Sequence, residues 1–186
     1  MSRVCPSWLS FMLYNPLRKQ FTDREKIIRE SKIGKNSTVL EVGAGNGFLT
    51  EVIAETAEKI VVVELQEGMV RKLGKRIGRF GDKVEIITSD ISSVNLETCF
   101  ADVCVVYYCF HEVSDQPAAV RNIARSVKGG GMVSIYEPTV EVGKKTMAET
   151  VKMFSDEGFM KEADSNGLFT RFVRMRKKED NNDLTV

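Results

Sequence analysis

The sequence lacks several features that would each place it in a class. No apolar run in its 186 residues approaches the roughly 20 needed to cross a bilayer. Cysteine is scarce: four thiols (Cys5, Cys99, Cys104 and Cys109) are few for a disulfide framework. The last three are spaced five apart, without the C-x2-C pairing of zinc sites. They read as buried free thiols in a reducing cytoplasm, and no metal is expected. Charge of one sign is not in excess, with 27 basic against 26 acidic side chains and a formal net charge of +1. That excludes a protein held to nucleic acid mainly by its overall field. The opening run WLSFMLY is interrupted around Pro6, Ser7 and Ser10 and has no small-residue cleavage site after it, so no signal peptide is expected.

What is present suits a folded domain. Hydrophobic residues make up 42% and charged residues 28%, which excludes general disorder. The length fits one domain with at most a small appendage, able to bury roughly 70% of its unfolded surface. Strand-like and helix-like runs alternate, the pattern of an α/β fold with a mainly parallel sheet. Thr22 and Glu25 have capping-box spacing and open a helix to about Ser31. Strands are expected at Thr38–Val42, Ile60–Glu64, Val84–Thr88, Val103–Tyr108 and Met132–Glu137. Helices are expected at Phe48–Ala57, Glu67–Ile77, Asp115–Lys128 (stopped by Gly129-Gly130-Gly131) and Lys144–Glu157. Phe159–Ala163 and Phe169–Arg176 form an antiparallel hairpin around an Asn166-Gly167 turn. The architecture is then five βα-type units finished by a hairpin. Three segments result: residues 1–37 as a helical lid or cap, 38–176 as the α/β domain, and 177–186 as a polar tail expected to be disordered.

The chemistry concentrates at Val39-Leu-Glu-Val-Gly-Ala-Gly-Asn-Gly47, between a strand and a helix. Glycines at 43, 45 and 47 let the backbone approach a ligand without Cβ interference. The dinucleotide fingerprint would need a small residue where Phe48 stands, and the Walker Gly-Lys-Ser/Thr is absent. Glu41 would repel a pyrophosphate over this loop and attract an ammonium group. Twenty-one residues beyond Gly43, the strand IVVV ends in Glu64, which can accept hydrogen bonds from both hydroxyls of a ribose. Asp90 could accept from an adenine exocyclic amine, with Ile91 packed beside the ring. All three acids fall at carboxyl ends of neighbouring parallel strands, where open α/β sheets bind ligands. The plainer alternative is that each acid caps a following helix or turn.

E-V-G-A-G-N-G resembles the E/D-x-G-x-G-x-G motif of class I S-adenosylmethionine-dependent methyltransferases. The likeness runs from about Thr38 to Pro138, with a family-like hairpin to Arg176. FHEVSD (110–115), the helix ending in KGGG and the SIYEP strand resemble the small-molecule, quinone-biosynthesis-like branch. The resemblance implies a Rossmann-like, seven-stranded sheet with helices on both faces and an antiparallel last strand. It implies S-adenosylmethionine as cofactor and S-adenosylhomocysteine as product. Glu41 with Gly43, Ala44, Gly45 and Gly47 would hold the methionine part, with Tyr107 near it. Glu64 and Leu65 would take the ribose end, and Asp90 with Ile91 the adenine.

Methyl transfer is a displacement with the acceptor aligned behind the carbon, and orientation alone can supply on the order of 7–11 kcal/mol. A general base helps where the acceptor is a hydroxyl, thiol or acidic carbon. Candidates after the fourth strand are Tyr108, Cys109, His111 (the only histidine) and Glu112. His111 and Tyr108 are the catalytic candidates, and His111 and Glu112 also substrate-facing ones. His111 reads equally as a side chain that bonds a backbone carbonyl and fixes the turn. Cys109 is either a reactive thiol or, more simply, a packed one. In the N-terminal apolar stretch, Tyr14 and Arg18 are the groups placed to meet an acceptor. Arg174, Arg176 and Lys178 share one strand face, as a phosphate stripe or a solvated strand end. The expected function is a cytoplasmic methyltransferase, monomeric or homodimeric, acting on a small apolar or aromatic molecule. Alternatives are an RNA or protein acceptor, or a non-catalytic S-adenosylmethionine-binding module.

Overall fold

The computed structural model describes residues 23–179. Tyr14, Arg18 and the rest of the expected lid upstream of Asp23 lie outside the described residues. Helix α1 (Arg24–Glu30) is capped by Asp23, whose side chain accepts from the Lys26 amide at 2.8 Å. The cap is therefore Asp23: its carboxylate reaches the third amide of the helix, one of the orphan donors every helix start leaves.

Five parallel strands follow: β1 (Thr38–Val42), β2 (Lys59–Glu64), β3 (Val84–Thr88), β4 (Ala101–Tyr107) and β5 (Val127–Pro138). Strands β6 (Phe159–Asn166) and β7 (Thr170–Lys177) complete a seven-stranded sheet in the order β3-β2-β1-β4-β5-β7-β6, with β7 antiparallel to β5. Helices α2 (Thr50–Thr56), α3 (Glu67–Ile77), α4 (Gln116–Ser126) and α5 (Lys144–Asp156) cover both faces. This is the Rossmann-like α/β architecture. Strand order reverses between β1 and β4, so a crevice opens at their carboxyl ends.

Side-chain alternation builds two cores. Leu40 and Val42 of β1 pack with Val120 and Ile123 of α4 and Phe154 of α5. Val39 packs on the other face with Ile27 of α1, Ile53 of α2 and Leu73 of α3. Glu41 is two residues on from Val39 and buried on that second face. Helix α1 is part of this core, and Ser31 Oγ lies 3.3 Å from Tyr136 Oη of β5.

Several sequence expectations need correction. Strand β3 is followed by no helix, leaving four βα units. Residues 89–100 cross to β4 as a loop whose Ile91, Val94 and Leu96 fill the core, while Asn122 donates to Ile91 O and Val94 O. Helix α2 begins at Thr50, with Phe48 and Leu49 in the preceding turn. The glycine run does not stop α4. Val127 already pairs with Ala101, and Met132 pairs with Val103, so residues 128–131 form a bulge within β5. The hairpin tip is Leu168-Phe169: Asn166 stays in the ladder opposite Arg171, whose Nη1 donates to its side chain at 2.6 Å. Lys177 belongs to β7, and its Nζ donates to Ala124 O and Val127 O at 2.9 Å each. Within the Arg174, Arg176 and Lys178 stripe, Arg174 and Arg176 both bind Glu162, while Lys178 is exposed at the strand end.

Phe154 is fully buried between the rings of Phe110 and Phe159, at centroid distances of 5.9 and 5.6 Å. Phe154→Ala should lower unfolding free energy by about 3–5 kcal/mol in urea titrations, through lost contact and the cavity left behind.

Candidate active site

The glycine loop takes its shape from contacts that a side chain would forbid. Gly43 has φ +70°, and a Cβ there would sit 2.4 Å from Cys109 Sγ. Gly45 has φ +58° but faces open space, and its amide donates to Glu64 Oε2 at 2.8 Å. Glu64 Oε1 accepts from the Gln66 amide at 2.8 Å. One buried carboxylate thus clamps both the loop after β1 and the chain leaving β2, and each oxygen keeps a lone pair for another donor.

Two adjoining cavities result. The larger, about 450 Å³, is bordered by Glu64, Leu65, Asp90, Ile91, His111 and Glu112. The smaller, about 80 Å³, is bordered by Glu41, Ala44, Phe48 and Tyr107. Gly43, Gly45, Met69 and Tyr108 line both. Gly47 borders neither, since a Cβ there would meet Leu73 Cδ1 at 2.7 Å. Asp90 Oδ1 accepts from the Ser92 amide and hydroxyl, both at 2.8 Å, and leaves its other oxygen for an incoming donor.

Glu41 is the anomaly. Its Oε2 is buried with no hydrogen-bond partner among the described residues. Burial raises its pKa to about 7; the neighbouring Thr50 hydroxyl works against that shift and the charge of Glu64 adds to it. A buried carboxylate oxygen without a partner is costly, and a cation would relieve it.

His111 is clamped. Its Nδ1 lies 2.5 Å from Glu137 Oε2 and its Nε2 lies 2.7 Å from Glu141 Oε2. Its backbone amide also donates to Glu137 Oε1 at 3.2 Å. Burial pushes its pKa down, but the hydrogen bond and charge of Glu137, followed by Glu141 and Glu112, outweigh it and the pKa rises above 6.5. Both ring nitrogens lie against carboxylates, which ties His111 into the wall of the larger cavity. Glu137 and Glu141 escaped the sequence reading. Glu137 carried a usable signal, since it stands one residue before the end of β5, much as Glu64 ends β2.

Cys109 Sγ donates to Val42 O at 3.1 Å. Burial, then the charges of Glu137, Glu64 and Glu112, hold its pKa well above the ordinary thiol value, so it is a packed thiol. Tyr108 has φ +57°, a conformation that costs a non-glycine residue about 1–3 kcal/mol. Its ring stacks on Tyr107 at 4.3 Å, and its hydroxyl bonds Thr170 Oγ1.

Comparison with known proteins decides the family. The profile of the methyltransferase domain family matches residues 40–135, from within β1 to within β5. The chain belongs to that family. Fold and family together make it a class I methyltransferase whose cofactor is S-adenosylmethionine. This methyltransferase is 26% identical over 173 residues to an uncharacterized methyltransferase of Geobacillus sp. (strain WCH70), covering 91% of this chain and 79% of that one. It is 44% identical over 69 residues to the mitochondrial ribosomal RNA small subunit methyltransferase of Arabidopsis thaliana. That match covers 36% of this chain and spans only 18% of the Arabidopsis protein. Among solved structures, a SAM-dependent methyltransferase from Aquifex aeolicus superposes with TM-score 0.82 at 21% identity, covering 93% of this chain and 99% of that one. The N-methyltransferase NodS of Bradyrhizobium japonicum, in complex with S-adenosylhomocysteine, gives 0.74 at 17% identity over 89% and 90% of the two chains.

The residues present fit that cofactor. Glu41 offers an orphaned carboxylate oxygen, and the Gly45 backbone borders space that no side chain fills.

The His111 clamp gives a pH signature. A histidine whose pKa is raised on folding adds stability that is full below about 6.5 and disappears as pH rises through the folded value. The gap in thermal midpoint between wild type and His111→Gln should therefore be largest at pH 6 and shrink on the alkaline side.

Proposed function

We propose that this chain transfers a methyl group from S-adenosylmethionine to a small, apolar or aromatic acceptor. The observation that carries the acceptor class is a third cavity of about 620 Å³ beyond the tyrosine pair. Tyr107, Tyr108, Tyr136, Phe169 and Phe172 line it, and stacking runs from Tyr136 to Phe172 at 4.7 Å. Such a wall holds a planar or apolar molecule by burial and ring contact.

In this reading the residues divide by task. Glu64, already held by the Gly45 and Gln66 amides, accepts the ribose hydroxyls through its remaining lone pairs. Asp90 takes the adenine amine beside Ile91, and Leu65 covers the nucleoside. Glu41 balances the ammonium of the methionine part, with Gly43, Ala44 and Tyr107 around it. The cofactor supplies an electrophilic methyl on a positively charged sulfur. The chain's own contribution is to hold donor and acceptor in line and keep water out. His111 acts as a clamp on the site wall and takes no proton, and Glu112 faces the same cavity. An RNA acceptor has less support because Arg174 and Arg176 of the basic stripe bind Glu162. Free thiols at Cys99, Cys104 and Cys109 accord with a reducing, cytoplasmic setting. No helix among the described residues is long and apolar enough to cross a membrane.

Titration calorimetry with S-adenosylhomocysteine, followed by product assays on a panel of phenols, amines and quinols, tests the reading. Glu64→Ala should weaken S-adenosylhomocysteine by about tenfold or more, since it removes charge-assisted bonds and frees the glycine loop. A wild-type affinity shared unchanged by Glu64→Ala would refute the ribose assignment.

Glu41 adds a sign that can be checked. Its free-state pKa is about 7, and a bound cation lowers it, so affinity should be full above pH 7 and fall as pH drops below. Glu41→Gln should bind more weakly at pH 8 and lose most of that slope.

A further inference from the structure

Tyr108 borders all three cavities, and none of their other lining residues does. We propose that its ring is the partition that limits the size of group able to pass between the cofactor cavities and the aromatic cavity, and that Thr170 tethers it in place. This rests on the cofactor reading above and adds a size-determining residue to it.

The ring is held from three directions. The Tyr108 amide donates to Tyr136 O at 2.8 Å, which fixes the left-handed backbone at φ +57°. Tyr107 lies parallel to its face, with 9° between the planes. The hydroxyl at its far end bonds Thr170 Oγ1, the first residue of β7 after the hairpin tip. That tip is itself anchored: Thr139 Oγ1 donates to Leu168 O at 2.8 Å, and the Thr139 amide to Phe169 O at 3.1 Å. The partition therefore spans from the end of β4 to the hairpin. It is rigid as long as the hydroxyl pair is intact, because a tyrosine ring has few torsions and its backbone sits in a narrow well. The smaller cofactor cavity meets the aromatic cavity at Tyr107 and Tyr108, and the larger one meets it at Tyr108 alone, so on this proposal a bulky substituent on the sulfur presses against the Tyr108 ring.

The test needs no acceptor. Sulfonium analogues of S-adenosylmethionine carrying methyl, ethyl, allyl or benzyl are titrated calorimetrically against wild type, Tyr108→Ala, Tyr108→Phe and Thr170→Val. Wild-type affinity should fall with substituent size. Tyr108→Ala should raise benzyl affinity relative to methyl by about tenfold or more. Tyr108→Phe and Thr170→Val each remove the same hydrogen bond, so both should give one intermediate gain of about threefold to tenfold, and the double variant no more. Should Tyr108→Ala not fold, the two tether variants decide the matter alone. Equal factors for methyl and benzyl in the variants would overturn the partition while leaving the cofactor site standing. No binding of the methyl compound or S-adenosylhomocysteine by wild type would overturn both.

Discussion

The site depends on one buried carboxylate. Glu64 ends β2, a strand buried at all but its first residue, and its two oxygens accept amides from the loop after β1 and from the chain leaving β2. Without it, the loop after β1 would have to satisfy the Gly45 amide elsewhere, and the turn into α3 would lose its anchor. The same oxygens that hold the walls together face the cavity the walls enclose. In the proposed reading, structural and ligand-binding roles are therefore not separable at this residue. The site is pre-organised because its principal acceptor is already locked by backbone donors.

Parallel strands gather acids at one edge of the sheet, and the chain handles each of three carboxylates differently. Glu64 is satisfied by amides. Glu137, buried at the end of β5, is satisfied by the His111 amide and ring, with Glu141 closing the far side of the same imidazole. Glu41 keeps one oxygen, Oε2, without a partner among the described residues, and its burial raises its pKa. Two of these buried acids are satisfied internally, and in the proposed reading the third, bordering the small cavity, is the one that meets a cation. The ammonium of an amino-acid-bearing cofactor fits this, while a phosphate would not.

Much of this was legible in the residues. β-branched runs such as IVVVE announce buried strands, and the motif E-V-G-A-G-N-G carries both a turn requirement and a charge preference. The element pattern resolved correctly wherever apolar periodicity was strong, as in α3 and β3. It failed where tertiary contacts overrode local chemistry. Three glycines look like a helix stop, yet pairing of β5 with β4 absorbs them as a bulge. Asn-Gly looks like a hairpin tip, yet Arg171 keeps Asn166 in the ladder. Residues 89–100 give no period because their apolar members plug the core singly rather than along one face, under the side chain of Asn122. The role of His111 was undecidable from sequence because its two partners lie 26 and 30 positions away, on a strand end and the loop beyond it.

That clamp also bears on how the reaction proceeds. A single histidine beside a cofactor cavity invites assignment as a base, but a base must be neutral and have a nitrogen free. Glu137 and Glu141 occupy both ring nitrogens of His111 and raise its pKa. The remaining hydroxyl candidate, Tyr108, is engaged by Thr170. With His111 and Tyr108 both tied into the scaffold, the proposed reading gives the site a positioning role more than one of proton transfer. An acceptor whose attacking atom carries a lone pair at neutral pH suits such a site best, since for it alignment supplies most of what the reaction needs.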